Sequence, residues 1–271
     1  MKKFTNCVVI FLIFVSLVLF IPTNRVSYLL HSYILNAKIS MIFSQIEDKK
    51  VEEYNQLLAA DPCHPRSLEH LRGKKLIAFT FDDGPNNATT LRLLEGMKKY
   101  DARATFFVVG NRLNRHKDAL IKTYEQCNQI GNHTYSHYSL KKKKMNVVTN
   151  EITKTNDAIY NIIGEYPTII RYPYGSSNEQ IREIGNLPTI LWSIDTLDWK
   201  YRDENRIANE IVENAEDGAV ILLHDLYDTS VDGALMAMEQ LKDEYAFVTI
   251  EEMSLIKQIQ LDSSKVYRKF K

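Results

Sequence analysis

Leu76-Ile77-Ala78-Phe79-Thr80-Phe81-Asp82-Asp83-Gly84-Pro85 is the stretch that decides the architecture. A short, nearly all-apolar run passes straight into two carboxylates and a Gly-Pro turn. Such a run is too short for a buried helix and reads as a strand covered on both faces, the kind found in parallel sheets. Working downstream, strands and helices alternate. A helix is expected over Thr89–Tyr100, a strand over Ala104–Val109, a helix over Lys117–Gln126 and a strand end at Ile130–Asn132. A long helix over Val147–Ile163 closes at Gly164, and a strand end follows at Ile169–Arg171. Then come a helix over Glu179–Ile184, a strand over Ile190–Ile194, a helix over Glu204–Asn214 and a strand over Ala219–Leu223. A helix over Leu235–Glu244 and a last strand over Phe247–Ile250 complete the series. Alternation of this kind builds βα units around a parallel sheet. The expected fold is α/β: a distorted or incomplete (β/α) barrel of parallel strands over residues 74–260, with 261–271 as a C-terminal tail.

Upstream, the character changes. Lys2 and Lys3 precede an apolar run from Cys7 to Ile21 broken only by Ser16. From Phe4 to Thr23 the segment reaches the roughly 20 residues a membrane span needs. Pro22, Thr23, Asn24 and Arg25 follow, with no small-x-small cleavage pattern. Residues 1–23 therefore read as an uncleaved signal anchor, a transmembrane helix, with a cleaved signal as the alternative. The leading lysines favour a cytoplasmic N-terminus and a single pass, which puts the rest of the chain outside the cytoplasm. Residues 24–73 read as a helical juxtamembrane stalk, interrupted at Asp61-Pro62-Cys63-His64-Pro65.

Composition narrows the class. Of 271 residues, 45% are apolar and 25% charged, which excludes a disordered or collagen-like chain. Lys+Arg and Asp+Glu are both 34, so the net charge is zero and a nucleic-acid protein held by a broad basic face is excluded. Three cysteines exclude a disulfide scaffold. Cys63 and Cys127 can pair in an oxidising compartment, a choice left open at this stage. Lys141–Lys144 is the one charge run. It reads as a solvated loop, with contact to anionic polymers as the alternative.

In α/β barrels functional groups collect where strands give way to loops. Five polar clusters fall at such ends: Asp82-Asp83, His133 with His137, Arg171, Asp195 with Asp198-Trp199, and His224-Asp225. Singly each has a bland explanation as turn former, surface ion pair or core residue. Together they make a set. Two imidazoles at i, i+4 and one carboxylate can hold a divalent ion while leaving positions open for water and substrate. A second aspartate is then free to act as a base, a separate histidine as an acid, and an arginine can keep the base ionised.

TFDDGP (Thr80–Pro85), HTYSH (His133–His137), RYPYG (Arg171–Gly175), DTLDW (Asp195–Trp199) and ILLHD (Ile221–Asp225) resemble, in order and spacing, the five motifs of the polysaccharide deacetylase family. That is the NodB-homology domain of carbohydrate esterase family four. The resemblance spans about Lys74 to Ile259. It implies that Asp82 is the catalytic base, that Asp83, His133 and His137 bind the metal, and that Arg171 orients the base. It implies a groove shaped by Pro173 and Tyr174, with the Tyr174 backbone N–H as an oxyanion donor and Trp199 as a wall. His224 resembles the general acid, Leu222 lines the acetyl pocket, and Asp198 tunes the acid, with Asp195 the alternative. The implied cofactor is a divalent ion, zinc first, with cobalt or another ion as alternatives. The implied reaction is hydrolysis of N-acetyl groups from a polysaccharide containing N-acetylglucosamine. Peptidoglycan is the leading substrate. Chitin oligomers, poly-N-acetylglucosamine, acetylxylan or a catalytically silent sugar-binding role are the alternatives. The expected partners are a cell-wall glycan and the membrane, with no nucleic acid, and the expected state is a monomer.

Overall fold

The computed structural model describes Leu71 and residues 73–271, which lie within one compact unit, Cys63–Lys271. The expected anchor over 1–23 and nearly all of the stalk over 24–73 lie outside the described residues. Among the described residues no helix is long and apolar enough to cross a membrane.

Strand β1 (Lys75–Asp82) is the centre of the sheet and is buried from Leu76 onward. It pairs in parallel with β2 (Thr105–Val108) and β6 (Ala219–His224). Its first residues pair with β7 (Tyr245–Phe247). With β3 (Gln129–Asn132) and β5 (Ile194–Asp195) the order is β3-β2-β1-β6-β5, every pair parallel. Beyond β3 the ring thins to single bridges, Asn132 to Ile170 and Ile170 to Thr189. These lead to β4 (Thr189–Ile190), which pairs with β8 (Val266–Tyr267). Among the described residues no ladder joins β4 to β5, so the ring is interrupted there.

The pleat sorts β1 into two faces. Ile77, Phe79 and Phe81 enter the larger core with Leu93, Leu94 and Met97 of helix Thr89–Lys98 and Val231, Ala234 and Met238 of helix Asp228–Leu241. Leu76 and Ala78 face a second core with Phe107, Ile169, Val220 and Phe270. Side chains alternate along a strand, so Thr80 and Asp82 follow Leu76 and Ala78 onto this second face. Full burial of each large side chain contributes roughly 1.5–3 kcal/mol. The two cores therefore hold β1 from both sides and fix where its carboxyl end points.

Four expectations change. The single strand over Ile190–Ile194 is two short pieces, because the carbonyls of Ile190 and Leu191 accept hydrogen bonds from the Arg171 guanidinium instead of a neighbouring strand. The strand expected over Phe247–Ile250 is Tyr245–Phe247, ends before Ile250 and is not the last, since β8 follows it. Thr249 and Glu252 form a reciprocal capping box that starts helix Ile250–Ile256 there. The helix expected from Leu235 begins at Asp228, two turns earlier, across a polar segment whose Ser230 and Val231 are buried. Residues 261–271, set apart above as a tail, supply β8 and the fully buried Phe270, whose N–H donates to the Gly218 carbonyl. Gly164, as expected, ends helix Met145–Ile163 in the left-handed region, at φ 82°. Cys127 is disulfide-bonded, and the other two cysteines, Cys7 and Cys63, lie outside the described residues.

Candidate active site

Register builds the site. Asp82 of β1 is the direct partner of His224 on β6 and of Phe107 on β2. The expected base and the expected acid therefore end adjacent parallel strands, which lie about 4.8 Å apart. Asp83 leaves the ladder at φ 73°, and the following Gly84 has no room for a side chain. A Cβ there would lie 2.3 Å from Asp225 Oδ1.

Arg171 organises the base side and is wholly buried. Its Nη1 donates to Asp82 Oδ1 and to Thr80 Oγ1, both at 2.8 Å. Its Nε and Nη2 donate to the carbonyls of Ile190 and Leu191 at 2.9 and 3.0 Å. Its guanidinium lies 4.2 Å from the Phe107 ring centroid. Burial pushes the Arg171 pKa down, opposed by the Asp82 charge and hydrogen bond. The pair is thus a desolvated ion pair with its remaining donors spent on backbone, the condition under which such pairs persist.

The metal-type cluster is Asp83, His133 and His137, whose ligand atoms all lie within 4.8 Å of one another. Asp83 Oδ1 is 3.0 Å from His137 Nε2 and 3.4 Å from His133 Nε2. That oxygen is buried yet makes no well-formed hydrogen bond. An orphaned carboxylate oxygen facing two imidazole nitrogens suits a divalent cation shared by all three. His133 Nδ1 sits 2.6 Å from the Arg171 carbonyl, so its proton belongs on Nδ1 and Nε2 is left for a metal. Arg171 thereby touches both, Asp82 through its side chain and His133 through its backbone carbonyl. Burial opposes ionisation of Asp83, but the close approach of the His133 and His137 rings outweighs it and holds the carboxyl well below its usual range. For His133 burial favours the neutral ring, and the neighbouring Asp82 and Asp83 overcome it and raise its pKa.

At the end of β6 it is Asp198, not Asp195, that meets His224. Asp198, fully buried, places Oδ1 2.8 Å from His224 Nδ1. Its Oδ2 accepts from the His224 backbone N–H at 2.8 Å and from Ser230 Oγ at 2.6 Å. Asp195 is exposed and accepts from the Leu197 N–H, away from His224. Burial lowers the His224 pKa, but its hydrogen bond to Asp198 and the charges of Asp198, Asp82 and Asp83 more than compensate and raise it to about 9.

Around this centre Tyr174 is 69% exposed at φ 62°, with its ring 5.0 Å from that of His137. Pro173 is buried beneath it and Trp199 stands half exposed beside the acid pair, while Leu222 is buried one pleat below His224. Sequence reasoning gave no role to Thr80 or Asp225, although both lie in the quoted motifs, and passed over Ser230. Thr80 was findable, since it lies two residues before Asp82 on the same face. Asp225 is wholly buried against the Gly84 turn and bonded by Thr90 Oγ1, with Oδ1 unpartnered. Burial raises its pKa to about 7. Ser230 carries no sequence signal, because only the docking of helix Asp228–Leu241 brings it to Asp198.

A family model described as polysaccharide deacetylase matches residues 70–187. A peptidoglycan-N-acetylglucosamine deacetylase of Bacillus cereus is 34% identical over 190 residues, which cover 66% of this chain and 88% of that one. The chain belongs to the polysaccharide deacetylase family. The peptidoglycan-N-acetylmuramic acid deacetylase PdaC of Bacillus subtilis is 39% identical over 214 residues, 77% of this chain and 46% of PdaC. The chain thus spans under half the length of that relative. A solved structure of PdaC superposes with a TM-score of 0.67 over 69% of this chain and 93% of the solved one, at 39% identity. A family 4 acetyl xylan esterase from Clostridium thermocellum, solved with a cobalt ion, gives a TM-score of 0.69 at 28% identity. It covers 72% of this chain and 98% of the esterase.

Proposed function

We propose that this deacetylase-family chain hydrolyses N-acetyl groups on the N-acetylglucosamine units of peptidoglycan, releasing acetate. The observation that carries this is the pairing of Asp82 with Arg171 and of His224 with Asp198 on either side of one metal-type triad. When bound by Asp83, His133 and His137, a divalent ion, zinc in our reading, supplies Lewis acidity toward water and the amide carbonyl. Asp82, held by Arg171, takes a proton from the attacking water. In this reading the Tyr174 backbone N–H donates to the developing oxyanion. His224 keeps its proton because Asp198 faces it, and gives that proton to the departing amine. The C–N bond breaks, water supplies the new oxygen, and the products are acetate and a free glucosamine amine. The names of the relatives support peptidoglycan as the polymer. The apolar segment of residues 1–23 supports a single-pass membrane anchor with the catalytic domain outside the cytoplasm. Membrane sedimentation with an intact N-terminus tests the anchor, and a soluble form starting near residue 24 would refute it.

The decisive experiment is acetate release from defined glycans before and after removal of divalent ions. Release should vanish with chelation and return with zinc or cobalt. Full activity in protein shown by elemental analysis to be metal-free would overturn the reading.

A further inference from the structure

The run Lys141–Lys144 is not absorbed by the proposed chemistry, and its place in the fold is specific. It lies in the connection from β3 to helix Met145–Ile163. That is a strand-to-helix loop on the same carboxyl face as the catalytic groups. The connection begins with two members of the triad, since His133 follows β3 and His137 precedes Tyr138 directly. At no more than about 3.6 Å per residue, Lys141 lies within about 14 Å of His137 along the chain. Leu140 is fully buried with Val148, Ile152 and Tyr172, which pins the loop from beneath. Tyr138 is 53% exposed, and Lys143 Nζ lies 5.1 Å from its ring centroid.

The charge of the loop is uncompensated. Elsewhere several surface lysines are paired, among them Lys75 with Glu244, Lys122 with Glu125, and Lys99 and Lys242 with Glu239. Lys141, Lys142, Lys143 and Lys144 are all exposed, and among the described residues their side chains meet no carboxylate. The first turn of the following helix holds no acid. The nearby Glu151 is buried and occupied by the Ser136 N–H. In a chain of zero net charge, this is a local concentration of positive charge beside the reacting centre.

We propose that the loop Tyr138–Lys144 is a subsite for the carboxylates of a peptide-bearing wall glycan, with Tyr138 as an apolar platform and the four lysines as counter-charges. The proposal rests on the deacetylase reading for the glycan and adds that anionic, peptide-substituted strands are preferred over neutral ones. Carboxylates within reach of four unpaired ammonium groups gain attraction that salt screens, whereas neutral chitin-type oligomers gain nothing.

The test uses the full chain with two readouts. The first is binding to insoluble peptidoglycan freed of teichoic acid, with its carboxylates intact or blocked as methyl amides. The second is acetate release from a neutral N-acetylglucosamine oligomer. Wild type should bind the intact material about tenfold more tightly than the blocked material, and this advantage should fade with added salt. The variant carrying Lys141→Gln, Lys142→Gln, Lys143→Gln and Lys144→Gln should bind both materials equally, at the weaker level, and release acetate from the neutral oligomer at the wild-type rate. A charge-reversed variant, Lys142→Glu with Lys143→Glu, should fall below that level on intact material alone. Equal wild-type binding to intact and blocked material would overturn the proposal. So would retention of the preference in the glutamine variant, or a preference that appears only when phosphate-bearing teichoic acid is left on the wall. Absence of acetate release by wild type would sink the deacetylase reading instead, while the binding contrast still decides the role of the loop.

Discussion

The base pair and the acid pair are mirror images in charge and unlike in construction. On the base side a carboxylate works against a cation, and on the acid side an imidazole works against a carboxylate. Asp82 and Arg171 are both buried, and Arg171 also satisfies Thr80 and two carbonyls where the ring of strands is interrupted. Removing it breaks architecture as well as chemistry. His224 is partly open to solvent, and its partner Asp198 sits at the start of the short helix Asp198–Tyr201, held by Ser230 and backbone N–H groups. That side can be altered with little cost to the sheet. The difference teaches that equal catalytic weight need not mean equal structural weight.

The largest effect should be on rate, and should be similar on the two sides. Asp82→Asn and His224→Ala should each lose about 10²–10⁴-fold in deacetylation while retaining metal, read by steady-state kinetics beside elemental analysis. His224→Ala should lose least on aryl acetate esters, whose leaving group departs without a proton. Equal losses on amide and aryl ester would remove His224 from the acid role.

Stability should separate the sides next. Arg171→Met strands the Asp82 carboxylate and two carbonyls in a dry site. It should cost about 3–5 kcal/mol in urea unfolding, whereas His224→Ala should cost clearly less. Equal costs would erase the structural contrast.

A smaller effect should appear in pH dependence. His224 has a folded pKa of about 9, above its ordinary value. Its contribution to stability is therefore complete below about pH 6.5 and is lost as pH rises through about 9. The proton it donates disappears over the same window, so activity should fall on its basic limb at or below about 9, lower still once a cation neutralises Asp83. Asp198→Asn removes the main cause of the raised pKa and should move that limb toward lower pH. An unmoved limb would mean that another group sets it. Ser230→Ala should in turn cost about 1.5–3 kcal/mol in urea unfolding, less than Arg171→Met, by removing one hydrogen bond to a buried carboxylate. A Ser230→Ala variant as stable as wild type would show that this bond adds nothing to the acid side.

Much of this was legible before any coordinates. Strand β1 was readable because an apolar run with charges at one end has few other ways to be buried. The triad was readable because His133 and His137 lie close in sequence and bring the same chemistry to one turn. The break between β4 and β5 was not readable. Ile190-Leu191-Trp192-Ser193-Ile194 has strand composition throughout, and it breaks because the side chain of Arg171, about 20 positions upstream, takes its carbonyls. The start of helix Ile250–Ile256 turned on a local rule, the Thr249–Glu252 box, that apolar Ile250 masked by extending the strand pattern.

What the sequence by itself determined is the inventory and its order: parallel βα units, a cluster of metal-type ligands, and an aspartate, an arginine and a histidine at separate strand ends. These follow from local polarity and spacing, which act over a few residues. Which aspartate serves His224, how Arg171 joins the base to the metal ligand, and that Asp82 and His224 are register partners were decided only by the tertiary structure. Those relations run between residues far apart in the chain, and packing of two cores against β1 is what sets the register that brings them together.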